Sequence, residues 1–135
     1  MNVQSIGLKS DTLFGMIEAI KSGLPISTFS HFRLKMDLSE GALSSTMNIS
    51  KRTLTRRKKE GRLSAAESEK LVRLAKLFDQ ATQVFGSDEV LSAQWFKAPA
   101  RGLGGRTPLE MAETEMGAQE VNALLVRIEH GVFPG

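Results

Sequence analysis

The residues best suited to binding chemistry are basic, and they are concentrated in one short stretch. Between Lys51 and Arg62 the chain has seven lysines and arginines against the single acidic residue Glu60. The whole chain carries a net charge of only +3, so the remaining residues are acidic on balance. A dense group of cations in an otherwise acidic chain is typical of an element that binds a polyanion such as nucleic acid.

The pattern around this basic stretch is that of a helix-turn-helix. Ser39 can cap a short helix, Asn48 can adopt the left-handed conformation of a tight turn, and Ser50 can cap the basic helix that follows. With Leu54 facing the core, the opposite side of that helix is free to enter the major groove of DNA. We therefore predict seven DNA-binding residues: Ser50, Lys51, Arg52, Thr55, Arg56, Lys58 and Lys59.

The basic residues divide into two expected roles. Arg52 and Arg56 lie near the start of the helix, where arginine can bridge guanine O6 and N7. The later cations, which include Arg57 and Arg62, are better suited to phosphates, which set affinity and register rather than sequence. An ordinary solvated basic helix is the alternative interpretation, and the turn pattern upstream favours nucleic-acid binding over it.

No combination of residues predicts a catalytic or metal site. The chain has two histidines, His31 and His130, and no cysteine, and an H-E-x-x-H spacing does not occur. His130 fits better as a cation at a helix C-terminus. The glycines at 102–105 lack the G-K-[ST] of a phosphate loop, and no G-x-S-x-G elbow is present. We therefore expect no enzymatic activity, no cofactor and no small-molecule substrate.

The remaining elements are also expected to be helices. Three-and-four spacing of apolar residues predicts helices that begin at Ser10 or Asp11, at Ser27, after Ser64 and at Asp88. The apolar face of the first is expected to be Leu13, Met16, Ile17 and Ile20, whereas residues 1–9 are expected to be poorly ordered.

We predict an all-α fold with a helix-turn-helix domain at 1–86, joined by a long helix to a small helical domain at 87–135. No stretch reaches the roughly 18 apolar residues of a membrane span, so we expect a cytoplasmic protein.

The last third of the chain contains a second recognisable pattern. It begins at Trp95, the only tryptophan, and continues to a sharp corner at Gly104-Gly105, where both residues can reach positive φ. Thr107, followed by a proline and a glutamate, can cap a helix that Gly117 is expected to end. Another helix is expected over 118–130. Two short helices bury little surface by themselves, so this segment needs a partner.

These features, in this order, resemble the toxin-binding domain of the Xre/MbcA/ParS antitoxins. The resemblance depends on the W-x-x-x-P segment, the LGG corner, the T-P-L-E cap, the T-E-x-G sequence and the final R-I-E-H-G. The segment RLSAAESEKLVRLAKLFDQATQVFG, with the basic stretch before it, also resembles the N-terminal domain of Xre-type antitoxins. The resemblance therefore extends from about Leu38 to the end of the chain.

The resemblance implies the antitoxin of a type II toxin–antitoxin system. Such a protein neutralises a RES-domain toxin that degrades NAD and represses its own operon by binding promoter DNA. A stand-alone dimeric helix-turn-helix repressor is the alternative function. A homodimer is expected in either case, because operator binding by such motifs usually uses two-fold symmetry and the long helix is expected to expose surplus apolar surface.

The resemblance also places the toxin contact towards the C-terminal end. Acidic side chains there would suit a toxin whose NAD site is basic, and arginine is common among residues that dominate binding energy. A frayed terminus is the alternative interpretation for the final residues. The predicted toxin-binding residues are Trp95, Arg106, Glu113, Glu120, Arg127, Glu129 and Phe133.

Overall fold

The computed structural model describes residues 2–9 and 12–131, and this part of the chain is almost entirely helical. Its α-helices are α1 Leu13–Ser22, α2 Ile26–Met36, α3 Glu40–Thr46, α4 Lys51–Glu60, α5 Ala65–Val84, α6 Glu89–Lys97, α7 Pro108–Met111 and α8 Glu115–Glu129. The all-α prediction is confirmed. Among the described residues, no helix has the length and apolar character needed to cross a membrane.

The chain divides into two compact units, Met1–Lys76 and Leu77–Gly135, and α5 continues across the division. The first unit has fourteen basic and seven acidic residues, a net charge of +7. The second has four basic and eight acidic residues, a net charge of −4. The charge asymmetry that the sequence indicated therefore follows the structural division.

The start of the chain is more ordered than the sequence predicted. Strand β1 (Asn2–Val3) pairs antiparallel with β2 (Leu8–Lys9), and a 3-10 turn lies between them. Val3 and Ile6 are buried, and the hydroxyl of the buried Ser5 donates to the carbonyl of Ala75 at 3.1 Å. The expectation of a poorly ordered start was wrong because contacts with a distant helix hold this segment, and local periodicity cannot reveal them.

Two helix starts differ from the predicted ones. Ser10 and Asp11, the predicted caps of the first helix, lie outside the described residues, and Thr12 caps α1 through a hydrogen bond from the third helical backbone N–H. Pro25 precedes α2 without a side-chain cap, so Ser27 lies inside that helix. The fixed φ of proline restricts the backbone at the helix entry, and the hydroxyl of Thr28 donates to the carbonyl of Pro25 at 2.6 Å.

Exposed apolar surface lies on α1 and not on α5. Of the predicted core face of α1, Met16 is buried, whereas Leu13 is 55% and Ile17 is 36% exposed. Phe14, which lies off that stripe, is 76% exposed. The expectation that the long helix exposes surplus apolar surface was wrong, because most of its large apolar side chains are buried. Those buried residues of α5 are Leu71, Val72, Leu74, Ala75, Leu77, Phe78 and Ala81.

In the first unit, hydrogen bonds connect the loop between α1 and α2 to the loop between α4 and α5 and to the start of α5. The backbone N–H of Leu63 donates to the carbonyl of Leu24 at 2.9 Å. The N–H of Leu24 donates to the hydroxyl of Ser68 at 2.8 Å, and that fully buried hydroxyl donates to the carbonyl of Ser64 at 2.7 Å. Gly23 has a φ of +86°, and a Cβ there would overlap the carbonyl oxygen of Leu63.

In the second unit, α7 contacts both α6 and α8, and aromatic rings line the start of the unit. Phe96 is fully buried, with its ring centroid 6.2 Å from that of Phe78 and 5.1 Å from that of Trp95. Trp95 is only half-buried, and it also contacts Phe85, with ring centroids 5.6 Å apart. The tryptophan therefore joins the core on one side and reaches solvent on the other.

Gly117 does not end a helix, and this corrects the predicted boundary. Helix α7 stops at Met111, and Thr114 caps α8 by accepting a hydrogen bond from the N–H of Gly117 at 3.0 Å. Gly117 is thus the third residue of α8, and a Cβ there would overlap the carbonyl oxygen of Met111. The glycine is needed for a close approach between two helices rather than for a positive φ.

We expect Gly117→Ala to lower the free energy of unfolding by about 1–3 kcal/mol, because the added methyl group forces α7 and α8 apart. Gly41→Ala is the matched control, since Gly41 also lies in the first turn of a helix but has nothing nearer than Ser39 Oγ at 4.0 Å. That change should raise stability by up to about 1 kcal/mol. Chemical denaturation followed by circular dichroism measures both, and equal stability of the two variants would contradict this account.

Candidate functional site

The segment from α3 to α4 has the geometry of a helix-turn-helix. Ser39 caps α3 and Ser50 caps α4, with hydrogen bonds of 3.0 and 3.1 Å from the third helical N–H groups. Asn48 adopts a left-handed conformation with a φ of 56°. The N–H of Ile49 donates to the carbonyl of Ser44 at 2.7 Å and closes the turn. Both caps and the left-handed asparagine were predicted and are confirmed.

Apolar side chains from both helices and the turn hold this arrangement. Leu43, Met47, Ile49 and Leu54 are each at most 6% exposed. Ser44 is also buried, and its small side chain lets α3 lie close to its neighbours. Because Leu54 points inward, the opposite side of α4 faces solvent, as the sequence predicted.

The solvent side of α4 collects most of the predicted DNA-binding residues. Lys51, Arg52, Arg56 and Lys59 are exposed, and Arg52, Arg56 and Lys59 line one shallow depression together with Thr55. A wider groove between α3 and α4 is lined in part by Ser50, Lys51 and Arg56. The hydroxyl of Ser50 accepts the cap hydrogen bond, so its side chain is already used within the protein.

Arg57 was expected to contact phosphate, but its guanidinium is bound to carboxylates within the protein. Its guanidinium forms a two-point contact with Glu67 of α5, with Nε to Oε1 at 2.7 Å and Nη2 to Oε2 at 3.1 Å. Nη1 also donates to Glu60 at 3.0 Å. Arg57 therefore ties α4 to α5, and the expectation that it contacts phosphate is not supported. The two partners lie ten positions apart on different helices, and no local sequence signal pairs them.

Two further cations have partners at the edge of the basic face. Lys58 Nζ lies 2.7 Å from a carboxylate oxygen of Glu40 on α3, and both side chains are nearly half exposed. The hydrogen bond from Lys58 lowers the pKa of Glu40. Arg62 donates to the carbonyl of Gly23 at 2.8 Å. A surface pair such as Lys58–Glu40 contributes little stability, so Lys58 can exchange Glu40 for a phosphate.

Glu67 binds Arg57 of α4 and also caps the start of α5. It accepts a hydrogen bond from the N–H of Ser64 at 2.8 Å, and its own N–H donates to the hydroxyl of Ser64 at 3.1 Å, and these two bonds form a capping box. Burial by itself raises the pKa of Glu67, but the hydrogen bonds from Arg57 and Ser64 and the charge of Arg57 outweigh burial. The net result is a pKa below the ordinary value, so Glu67 is a carboxylate at neutral pH.

The corner before α7 is closed by its own backbone. Gly104 and Gly105 have φ values of 67° and 82°, as predicted. The N–H of Ala100 donates to the carbonyl of Arg106, and the N–H of Gly105 donates to the carbonyl of Ala100, each at 3.0 Å. Thr107 caps α7 by accepting from the N–H of Glu110 at 3.1 Å. This corner is thus a fixed loop whose tip is exposed.

Those residues predicted to bind a toxin that the structure describes are spread over α6, α8 and the loops on either side of α7. Arg106 is exposed on the corner and Glu113 is exposed between α7 and α8. Glu120 is exposed and Arg127 half-buried on one side of α8, whereas Glu129 lies about 180° from Glu120 around the axis at 100° per residue. Trp95 is half-buried in the aromatic cluster described above, and Phe133 lies outside the described residues.

Two family models match the chain, and each covers most of one unit. Residues 15–76 match the antitoxin Xre-like helix-turn-helix domain, and residues 80–131 match the antitoxin Xre/MbcA/ParS C-terminal toxin-binding domain. The antitoxin Xre of Yersinia enterocolitica is 34% identical over 131 residues, which cover 96% of this chain and 88% of that protein. The chain belongs to the Xre/MbcA/ParS antitoxin family.

Other relatives agree with this assignment. The antitoxin Xre of Photorhabdus laumondii is 32% identical over 130 residues, with 96% of this chain and 88% of that protein covered. A Sphingobium protein named Prs ADP-ribosylating antitoxin is 28% identical over 127 residues, with 87% and 79% covered. The antitoxin is therefore of type II, with a helix-turn-helix domain and a toxin-binding domain, and these family descriptions confirm the prediction that it is not an enzyme. The helix-turn-helix match begins within α1, so it includes helices to which the sequence assigned no role.

We expect Glu67→Gln to lower the free energy of unfolding of the antitoxin at neutral pH by about 1–3 kcal/mol, because Arg57 loses its charged partner. The folded pKa of Glu67 is depressed, so its stabilisation is fully present above the unfolded pKa of about 4.3 and is lost as pH falls through the folded value. The difference between wild type and variant should therefore shrink in acid. Denaturation from pH 7 to 3 measures it, with the exposed Glu69→Gln as control; a difference that does not change with pH would contradict this role.

Proposed function

We propose that the antitoxin neutralises a RES-domain toxin that degrades NAD and represses its own operon. The observation that carries the proposal is the separation of charge between the two units, +7 in the helix-turn-helix unit and −4 in the toxin-binding unit. A basic unit suits promoter DNA, and an acidic unit suits a protein whose substrate carries phosphates. The alternative of a stand-alone repressor is disfavoured because residues 80–131 match a toxin-binding domain.

The comparisons support a toxin that acts on NAD, whereas its RES domain is part of our proposal. The name of the Sphingobium relative refers to ADP-ribosylation of Prs. ADP-ribosylation takes its ADP-ribose from NAD, so this name and the family resemblance to RES systems both point to chemistry on NAD. The proposed toxin contacts remain the residues named from the sequence: Trp95, Arg106, Glu113, Glu120, Arg127, Glu129 and Phe133.

On the DNA side, we propose that α4 enters the major groove. Arg52 and Arg56 lie one helical turn apart on the exposed side, about 6 Å along the axis, which suits two nearby guanines. Lys51 and Lys59 lie on the same exposed side and suit phosphates, as does Lys58 once it leaves Glu40. Binding to the promoter requires access to the chromosome, so the proposal places the antitoxin in the cytoplasm.

We propose that the antitoxin is a homodimer that pairs through α1. Leu13, Phe14 and Ile17 fall within about 100° of one another around that helix, and all three are exposed. A phenylalanine that is 76% exposed is unfavourable in a monomer, because large exposed apolar patches mark interaction surfaces. Two copies would also present two α4 helices to a two-fold operator.

For DNA recognition, Arg52→Ala and Arg56→Ala should each reduce the preference for the promoter over unrelated duplexes by about 1–3 kcal/mol per lost base contact. Lys59→Ala should weaken binding to all duplexes alike and lower the salt slope by about one. Lys76→Ala, at an exposed lysine on α5 outside both α1 and α4, is the control and should change neither quantity. Gel shifts at several salt concentrations measure both; a wild-type protein without duplex preference would contradict the proposal.

For assembly, the wild-type protein should have about twice the 14.8 kDa mass of one chain by light scattering at micromolar concentration. Phe14→Asp should yield monomers, because an unpaired carboxylate in an apolar contact is costly to desolvate. Val90→Asp is the matched control, since Val90 is 68% exposed in the other unit, and it should stay dimeric. A monomeric wild type would refute the dimer.

For toxin neutralisation, expression of the proposed RES-domain toxin alone should arrest growth and deplete cellular NAD, and co-expression of the antitoxin should restore both. Deletion of residues 131–135 and Arg127→Ala should each reduce this rescue while promoter binding stays intact. Cellular NAD content and growth are the measurements. A toxin that leaves NAD unchanged would refute the NAD-degrading activity, and full rescue by both variants would move the contact away from this end of the chain.

A further inference from the structure

The solvent side of α8 carries apolar side chains that the second unit does not cover. Met116 is 79% exposed and Val126 is 39% exposed. At 100° per residue, positions 116, 119, 123 and 126 follow the spacing i, i+3, i+7 and i+10 and lie on one side of the helix. We call Met116, Gln119, Ala123 and Val126 the α8 stripe.

The opposite side of α8 accounts fully for its packing within the unit. Gly117, Ala118, Val121, Leu124 and Leu125 are buried, and all of them lie within about 120° of one another around the axis. Of the α8 stripe, Ala123 is half-buried, whereas Met116, Gln119 and Val126 are exposed, so most of the stripe lies outside the core. Three-to-four residue apolar spacing on a side that the core does not use is the pattern of a helix that pairs with a second surface.

The chemistry of the α8 stripe suits a protein partner. Met116 is flexible and adapts its shape to an incoming surface, whereas Ala123 is small and lets a partner come close to the helix backbone. The stripe is bordered by the exposed Glu120 and the half-buried Arg127 on one side and by the exposed Glu129 on the other, so its border is acidic on balance. A mainly apolar strip with an acidic border fits a surface that presents apolar residues beside basic side chains.

We propose that the α8 stripe is the surface on which the toxin docks, and that the toxin meets it with apolar residues bordered by lysine or arginine. This inference rests on the proposed toxin-neutralising function. The matched domain that contains α8 is described as toxin-binding, which favours a toxin as occupant. A second copy of this chain would instead bring Glu120 and Glu129 against another acidic surface, in a unit whose net charge is −4.

One other exposed apolar group in the second unit provides a matched control. Val90 is 68% and Leu91 is 43% exposed, at the start of α6. These two residues are adjacent in sequence and continue into no stripe, because the next exposed positions of α6 are the polar Gln94 and Lys97. Val90 thus matches Met116 in exposure and in unit but lies outside the α8 stripe.

The test measures binding of the full-length antitoxin to the purified cognate RES-domain toxin by titration calorimetry. Met116→Glu and Val126→Glu should each raise the Kd at least about tenfold, because a carboxylate becomes buried without a partner. Val90→Glu and the conservative Met116→Leu should stay within about twofold of wild type. Thermal melting and promoter binding should be unchanged in all four, since the substituted side chains are exposed.

The outcomes separate this inference from the function on which it rests. If the wild-type antitoxin does not bind or neutralise the toxin, the proposed function fails and the α8 stripe has no toxin to bind. If the wild type binds but Met116→Glu and Val126→Glu keep its affinity, the function stands and the inference is refuted. Equal loss of affinity in Val90→Glu would also refute it, because the effect would then not belong to the stripe.

Discussion

The arrangement of the DNA-binding unit depends on the carboxylate of Glu67. That carboxylate caps α5 through Ser64 and holds the guanidinium of Arg57 on α4 with two short hydrogen bonds. Only 12% of the Glu67 side chain and 17% of the Arg57 side chain are exposed, so solvent screens the pair less than a surface ion pair. Since α4 is the helix that carries the basic face, this contact fixes its orientation relative to the long helix.

The same contact explains why a run of similar cations has divided roles. Arg57 lies among six other basic residues between 51 and 62, yet its charge is satisfied inside the protein. Arg52, Arg56 and Lys59 lie on the exposed side of the same helix. The six cations of α4 would repel one another strongly if all of them faced solvent, and the contacts of Arg57 with Glu67 and Glu60 remove one of them from that face.

In the second unit a backbone contact has the corresponding role. Gly117 allows α8 to lie against the last carbonyl of α7, and Thr114 caps the new helix at the point of contact. This close approach fixes which side of α8 is buried, and therefore which side is left for a partner. The exposed side of each helix is thus set by how the helix is held: α4 by the carboxylate of Glu67, and α8 by its close approach to α7 at Gly117.

Sequence alone determined much of this molecule, because helix caps and turns are local. Ser39, Ser50 and Thr107 cap the helices they were expected to cap, Asn48 takes the left-handed turn, and Leu54 faces the core. Each of these outcomes depends on residues within a few positions. The family resemblance was likewise readable from ordered local motifs, and the comparisons confirm it.

Tertiary structure decided what depends on residues distant in sequence. Arg57 became a structural residue because Glu67 reaches it from another helix. Ser5 is buried, and its hydroxyl donates to the carbonyl of Ala75 on α5. Leu13 and Ile17 fit a core pattern and yet remain exposed, because the core is filled by other helices. In the sequence, a glycine at position 117 is compatible with a helix end and with a close contact between helices. The position of the Met111 carbonyl shows that the close contact is the reason for the glycine. Periodicity reports which residues share a side of a helix, but the packing partner decides whether that side is buried.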